Sequence, residues 1–152
     1  MADRYAVLGS NSFSGSHFVT RLLLAGHEVL GISRSVEIDE VFRPYVWESL
    51  PGAFTFSQID VNDTGPISDA LNDFRPDVVV NFAAQSMVAQ SWDWPGHWYR
   101  TNVLGLVELV KVLEGLSSLQ KYVHVTTPEV YGSTDGWITE SRNFRPSTPY
   151  AI

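Results

Sequence analysis

The sequence predicts an α/β fold, a doubly wound parallel sheet of five strands. Three observations carry that prediction. Short apolar or β-branched runs alternate with stretches of helical periodicity, the rhythm of βαβ units. The first run, Tyr5-Ala6-Val7-Leu8, is continuously apolar, as suits a strand covered on both faces. It leads through a turn of small residues, 9–15, into a stretch with Phe18, Val19, Leu22 and Leu23 at helical spacing.

The elements follow in order. Gly26 closes the first helix, and Glu28-Val29-Leu30-Gly31-Ile32 forms a second strand. Residues 35–53 hold Pro44, Pro51, Tyr45 and Trp47 without a clear period and read as a loop with a short helix. A third strand covers 54–59, and a short helix covers 66–74 with Pro66 near its start. Val78-Val79-Val80-Asn81-Phe82 is a fourth strand. Val103, Leu106, Val107, Val110 and Leu113 mark a helix over 98–116, a fifth strand covers 121–126, and the remainder is mostly loop. Right-handed crossovers give the strand order 3-2-1-4-5, with a crevice where the order reverses.

Composition narrows the function. The 152 residues fit one domain, 1–152, and 44% of them are hydrophobic, enough for a core. Ten Lys and Arg against seventeen Asp and Glu argue against a nucleic-acid surface. The absence of cysteine excludes disulfides, thiolate zinc sites and thiol nucleophiles, and no metal site is expected. No signal-type or membrane-length apolar run stands out, so the expectation is a soluble cytoplasmic protein with no membrane partner.

Several motifs sit at strand ends, where open α/β sheets bind ligands. Gly9-Ser10-Asn11-Ser12-Phe13-Ser14-Gly15 joins a strand to a helix, the arrangement that brings backbone N–H groups to a pyrophosphate. Ser12 stands where a middle glycine would complete G-x-x-G-x-x-G, and an ordinary small-residue turn is the alternative. Ser33 and Arg34 end the second strand without the acid that favours a free ribose diol, so the reading is NADP, with NAD as the alternative. Asp60, followed by Val61, is placed to accept from an adenine amino group or to form an Asx turn into Asn62.

Asn81-Phe82-Ala83-Ala84-Gln85 offers small residues for close approach by a cofactor, and Asn102 either braces the next crossover or faces solvent. Thr127, Glu129 and Tyr131 leave the fifth strand together, with Glu129 a candidate base beside Pro128. Tyr150, just past Pro149, is a candidate proton-transfer phenol. A free phenol ionises near pH ~10 and needs a cation, ideally a Lys at i+4, which would be position 154. Trp92, Trp94 and Trp98 either stack on a sugar or base or pack a helix start.

Together these residues resemble the extended short-chain dehydrogenase/reductase family, specifically its sugar-nucleotide epimerases and 4,6-dehydratases. The resemblance rests on the glycine turn with Phe13, Asn81-Phe82-Ala83-Ala84-Gln85, Thr101-Asn102-Val103-Leu104-Gly105, Thr127-Pro128-Glu129-Val130-Tyr131-Gly132 and Pro149-Tyr150. Gly31-Ile32-Ser33-Arg34 looks like the NADP-using GDP-mannose dehydratase branch. The family implies a Rossmann fold and a redox cycle that begins at C4 of a nucleotide sugar. By resemblance Tyr150 is the base at the C4 hydroxyl, Thr127 orients that hydroxyl, and Glu129 takes the C5 proton. Gly9, Ser12, Phe13 and Gly15 would hold the pyrophosphate and Asp60 the adenine. Asn81, Ala83 and Ala84 would line the nicotinamide side.

Family members are about twice this length, so the chain is expected to be the N-terminal part of such an enzyme and inactive by itself. A homodimer through the helix at 98–116 is expected by resemblance. Pro128 replaces an acidic or hydroxyl residue of many dehydratases, which leaves dehydratase, epimerase and reductase activities open. A non-catalytic dinucleotide-binding module is the alternative to an enzyme.

Overall fold

The computed structural model describes residues 2–152. Its sheet has five parallel strands in the order β3-β2-β1-β4-β5, as the sequence predicts. These are β1 (Arg4–Leu8), β2 (Glu28–Ser33), β3 (Ala53–Gln58), β4 (Val78–Asn81) and β5 (Lys121–His124). Alternate residues of the central strands serve two separate cores. Ala6, Leu8, Leu30, Ile32 and Val79 face α2 (Thr64–Phe74) and α5 (Gly105–Glu114). Val7 and Val29 face α1 (Phe13–Leu24) and the buried Tyr45.

Local chemistry explains where the helices begin and end. Helix α1 starts at Phe13, earlier than its apolar period suggests, because Ser12 caps it and accepts from Gly15 N at 3.0 Å. Helix α2 ends at Arg75, whose φ of 52° is left-handed, because Pro76 follows and cannot continue a helix. The loop after β2 forms two short 3₁₀ turns, Glu40–Phe42 and Pro44–Val46. It is stapled by Glu37, which pairs with Arg43 at 2.8 Å and accepts from the Tyr45 hydroxyl at 2.8 Å. Burial, and then the Glu37 carboxylate, push the Tyr45 phenol well above its usual range.

The predicted single helix over 98–116 is the main departure. The chain forms α3 (Val88–Asp93), α4 (Pro95–Trp98), a π-helical segment (Tyr99–Leu104) and then α5. Pro95 starts α4 and forces the break from α3 at Trp94. Trp98 is buried at this start, while Trp92 and Trp94 are exposed, so packing accounts for the first alone. Strand β5 stops at His124, two residues short of its predicted end, before Pro128 opens a 3₁₀ turn (Pro128–Tyr131). No helix among the described residues is long and apolar enough to cross a membrane.

Candidate functional site

Two adjoining cavities open along the carboxyl ends of the strands, beside the switch from β1 to β4. The first, about 290 Å³, lies among the glycine turn, residues 33–35, residues 59–62 and residues 82–85. The second, about 480 Å³, continues past Ala83 and Ala84 to Asn102, His124, Thr127 and Tyr150. Ser12, Val61, Ala83, Ala84 and Thr101 line both, so the two form one continuous groove.

The glycine turn has the geometry of an anion cradle. Gly9 has φ +78°, and a Cβ there would lie 2.7 Å from Ala83 N, so only glycine lets β1 pass so close to β4. A Cβ on Gly15 would strike the Gly9 carbonyl oxygen. Ser12 Oγ donates to Gly9 O at 2.8 Å and accepts from Gly15 N. Among the described residues, the Phe13 and Ser14 amides have no protein acceptor, so they stand at the positive end of α1 as free donors. These features fit a dinucleotide pyrophosphate.

Gly9, Ser12, Ser33, Arg34, Asp60 and Val61 line the first cavity. Ser33 is buried, and its Oγ accepts from Asn11 N at 3.0 Å, so the hydroxyl braces the turn. Arg34 is exposed, with no carboxylate in ion-pair range among the described residues. Asp60 forms the Asx turn, taking Asn62 N at 2.9 Å on Oδ1, and its Oδ2 has no protein donor among the described residues. Turn former and ligand acceptor are therefore compatible roles.

Ala83, Ala84, Asn81, Asn102, Thr127 and Tyr150 line the second cavity. Asn102 accepts from Gln85 N and donates to Gln85 O, both at 2.9 Å, which settles it as a brace. Asn81 is also a brace, because its Oδ1 accepts from Ala83 N at 2.9 Å. Thr127 Oγ1 accepts from Glu129 N at 3.2 Å, which leaves its hydroxyl hydrogen free to donate. Three expected residues line neither cavity. Phe13 is 81% exposed and packs on His17 at 4.6 Å, Gly15 is buried beneath the turn, and Glu129 accepts from Thr148 Oγ1 at 3.5 Å.

A family model described as GDP-mannose 4,6 dehydratase matches residues 7–152. The chain belongs to the GDP-mannose 4,6-dehydratase family. It is 29% identical to the dTDP-glucose 4,6-dehydratase of Xanthomonas campestris pv. campestris (strain B100), over 97% of this chain and 44% of that protein. It is 28% identical to the GDP-mannose 4,6-dehydratase of Vibrio cholerae, over 100% of this chain and 43% of that one. The UDP-glucose 4-epimerase of Thermus thermophilus, solved as a complex with NAD, superposes with a TM-score of 0.81 at 30% identity. That match covers 97% of this chain and 46% of the other. The chain thus spans under half the length of the relatives it matches.

One polar group in this GDP-mannose 4,6-dehydratase family chain escapes motif reading. Asn81 Nδ2 donates toward Tyr122 OH at 3.3 Å and His124 Nδ1 at 3.4 Å, and Tyr122 OH lies 3.1 Å from the same nitrogen. Asn81 Oδ1 is held by Ala83 N, so its Nδ2, which has only hydrogens to offer, faces the Tyr122–His124 pair as a donor. Alternation in β5 places Tyr122 and His124 on one face, but only the pairing Asn81↔His124 brings Asn81 to them.

Burial lowers the His124 pKa from its usual 6.5. The unfolded chain therefore takes up a proton first as pH falls, and this contribution to stability, full above 6.5, is lost below it. Thermal unfolding should show a larger drop in Tm from about pH 7.5 to 5.5 for the wild type than for His124→Gln. Parallel curves would contradict this assignment.

Proposed function

We propose that the whole protein oxidises a nucleotide sugar at its C4 carbinol with NADP, as a nucleotide-sugar 4,6-dehydratase. The observation that carries this reading is one groove that joins an anion cradle to a cavity with a hydroxyl, Thr127, and a phenol, Tyr150, in its wall. The bound coenzyme supplies the electron-pair acceptor and donor that this chemistry requires.

The residues of this chain divide the remaining work. The Phe13 and Ser14 amides hold the pyrophosphate. Asp60 Oδ2 accepts from the adenine amino group, and Arg34 grips the 2′-phosphate. Ala83 and Ala84, with nothing beyond Cβ, let a flat ring lie against the backbone. Thr127 donates its hydroxyl hydrogen to the C4 oxygen, and Tyr150 removes the C4 hydroxyl proton. Glu129, once released from Thr148, takes the C5 proton and passes it to the departing C6 hydroxyl, which leaves as water.

A 4-epimerase shares the first step and needs no C5 base. Glu129 outside the cavity and Pro128, which has no donor, favour that second reading. The whole protein should convert a nucleotide hexose to a product lighter by one water, read by mass spectrometry with NADP present. A product of unchanged mass but altered C4 configuration would select the epimerase. No conversion across the common nucleotide hexoses would refute both.

A second copy of the chain is the proposed partner. Val103, Leu104, Val107 and Val110 form an exposed apolar stripe along the π segment and α5. Sedimentation of the whole protein should give a dimer that Leu104→Glu dissociates, and a wild-type monomer would refute this.

A further inference from the structure

The carboxylate assigned to the adenine amino group is held by more than its own turn. Asp60 Oδ1 accepts from Asn62 N at 2.9 Å and from Asn62 Nδ2 at 2.8 Å. The other hydrogen of that amide points to Thr101 Oγ1 at 3.3 Å, 39 residues along the chain in the π-helical segment. Asp60 fixes the orientation of the amide, because a flipped amide would set an oxygen against a carboxylate. Asn62 Oδ1 is consequently buried without a partner. It lies against Gly105, where a Cβ would come within 2.6 Å of it. Asn62 is thus pinched between the loop after β3 and the start of α5.

The residue next to Thr101 grips a different loop, the one that follows β4. Asn102 holds both backbone groups of Gln85, just past Ala83 and Ala84. A π turn closes by i→i+5 bonds and carries an extra residue relative to an α turn. In this one, two adjacent side chains reach two different loops.

We infer that Asn62 and Thr101 are positioning residues for the adenine end of the coenzyme. Thr101 holds the Asn62 amide, the amide holds Asp60 Oδ1, and Asp60 Oδ2 is left as the acceptor for the ligand. Because Thr101 and Asn102 are consecutive, the adenine-side and nicotinamide-side loops are tied to one short segment that sets the span between them. The inference rests on the proposed contact between Asp60 and adenine.

The test is calorimetric titration of the protein with NADP and with its analogue bearing hydrogen in place of the adenine 6-amino group. The wild type should prefer NADP by about tenfold, the worth of one hydrogen bond to a charged acceptor. Thr101→Val keeps the shape but removes the hydroxyl, and should lose about threefold of that preference with affinity for the analogue unchanged. Thr101→Ser should restore it. Asn62→Ala, a second variant that does not depend on Thr101, should lose most of the preference. A wild type without preference overturns the adenine contact itself. A wild-type preference that survives in Thr101→Val and Asn62→Ala overturns this inference alone. Equal weakening toward both ligands marks general loosening and also overturns it.

Discussion

Replacing Tyr150 by Phe in the whole protein should lower kcat by about 10²- to 10⁴-fold, the range for loss of a general base, while leaving NADP affinity unchanged. The split follows from placement. Tyr150 lines the second cavity with Thr127, whereas Arg34 and Asp60, the residues assigned to the 2′-phosphate and the adenine, line only the first. Its backbone is set by the Thr148 turn, in which Ala151 N donates to Thr148 O at 3.0 Å and to Thr148 Oγ1 at 3.1 Å. Phenylalanine keeps the ring and leaves that turn intact, so only the proton-transfer group is lost. Steady-state kinetics with parallel coenzyme titration check this. A variant with near wild-type kcat would remove Tyr150 from the chemistry.

Arg34→Ala should weaken NADP binding by about 10- to 100-fold and leave NAD binding almost unchanged, the scale of one or two hydrogen bonds to a charged phosphate. Three neighbours make Arg34 the decisive residue. Gln58 Nε2 donates to Arg34 O at 3.2 Å, and Asn11 Nδ2 donates to Val36 O at 2.8 Å and Ser35 Oγ at 3.0 Å, so the segment from Arg34 to Val36 is pinned. The guanidinium has no competing carboxylate among the described residues. Glu37, the first acid after β2, is occupied by Arg43 and Tyr45, which leaves a ribose diol without an acidic acceptor. Titration of both coenzymes into wild type and variant reads the ratio, and an unchanged ratio would return the choice to NAD.

The sheet was legible because its signal is local. Continuous apolar runs and a glycine turn leading to a helix have few other solutions, and right-handed crossovers then leave one strand order. The strand-end residues that line the groove were legible for the same reason, since topology delivers strand ends to one edge of the sheet. What stayed hidden depends on partners distant in sequence. Nothing local to Ser33 tells that its hydroxyl serves Asn11, and nothing local to Glu129 tells that it turns to Thr148. Phe13 and Gly15 were readable as parts of the turn, but which of them leaves its amide free and which spends it on the cap showed only in the bond to Ser12. The π segment escaped because its apolar residues keep a helical period, while its extra residue shows only in the bonds of Thr101 and Asn102.

The most direct measurement is a crystal structure of the protein grown with NADP. It should place the pyrophosphate on the Phe13 and Ser14 amides, the adenine amino group on Asp60, the 2′-phosphate on Arg34 and the nicotinamide against Ala83 and Ala84. An occupied coenzyme lying elsewhere, or a groove filled by the protein's own side chains at saturating NADP, would contradict the account.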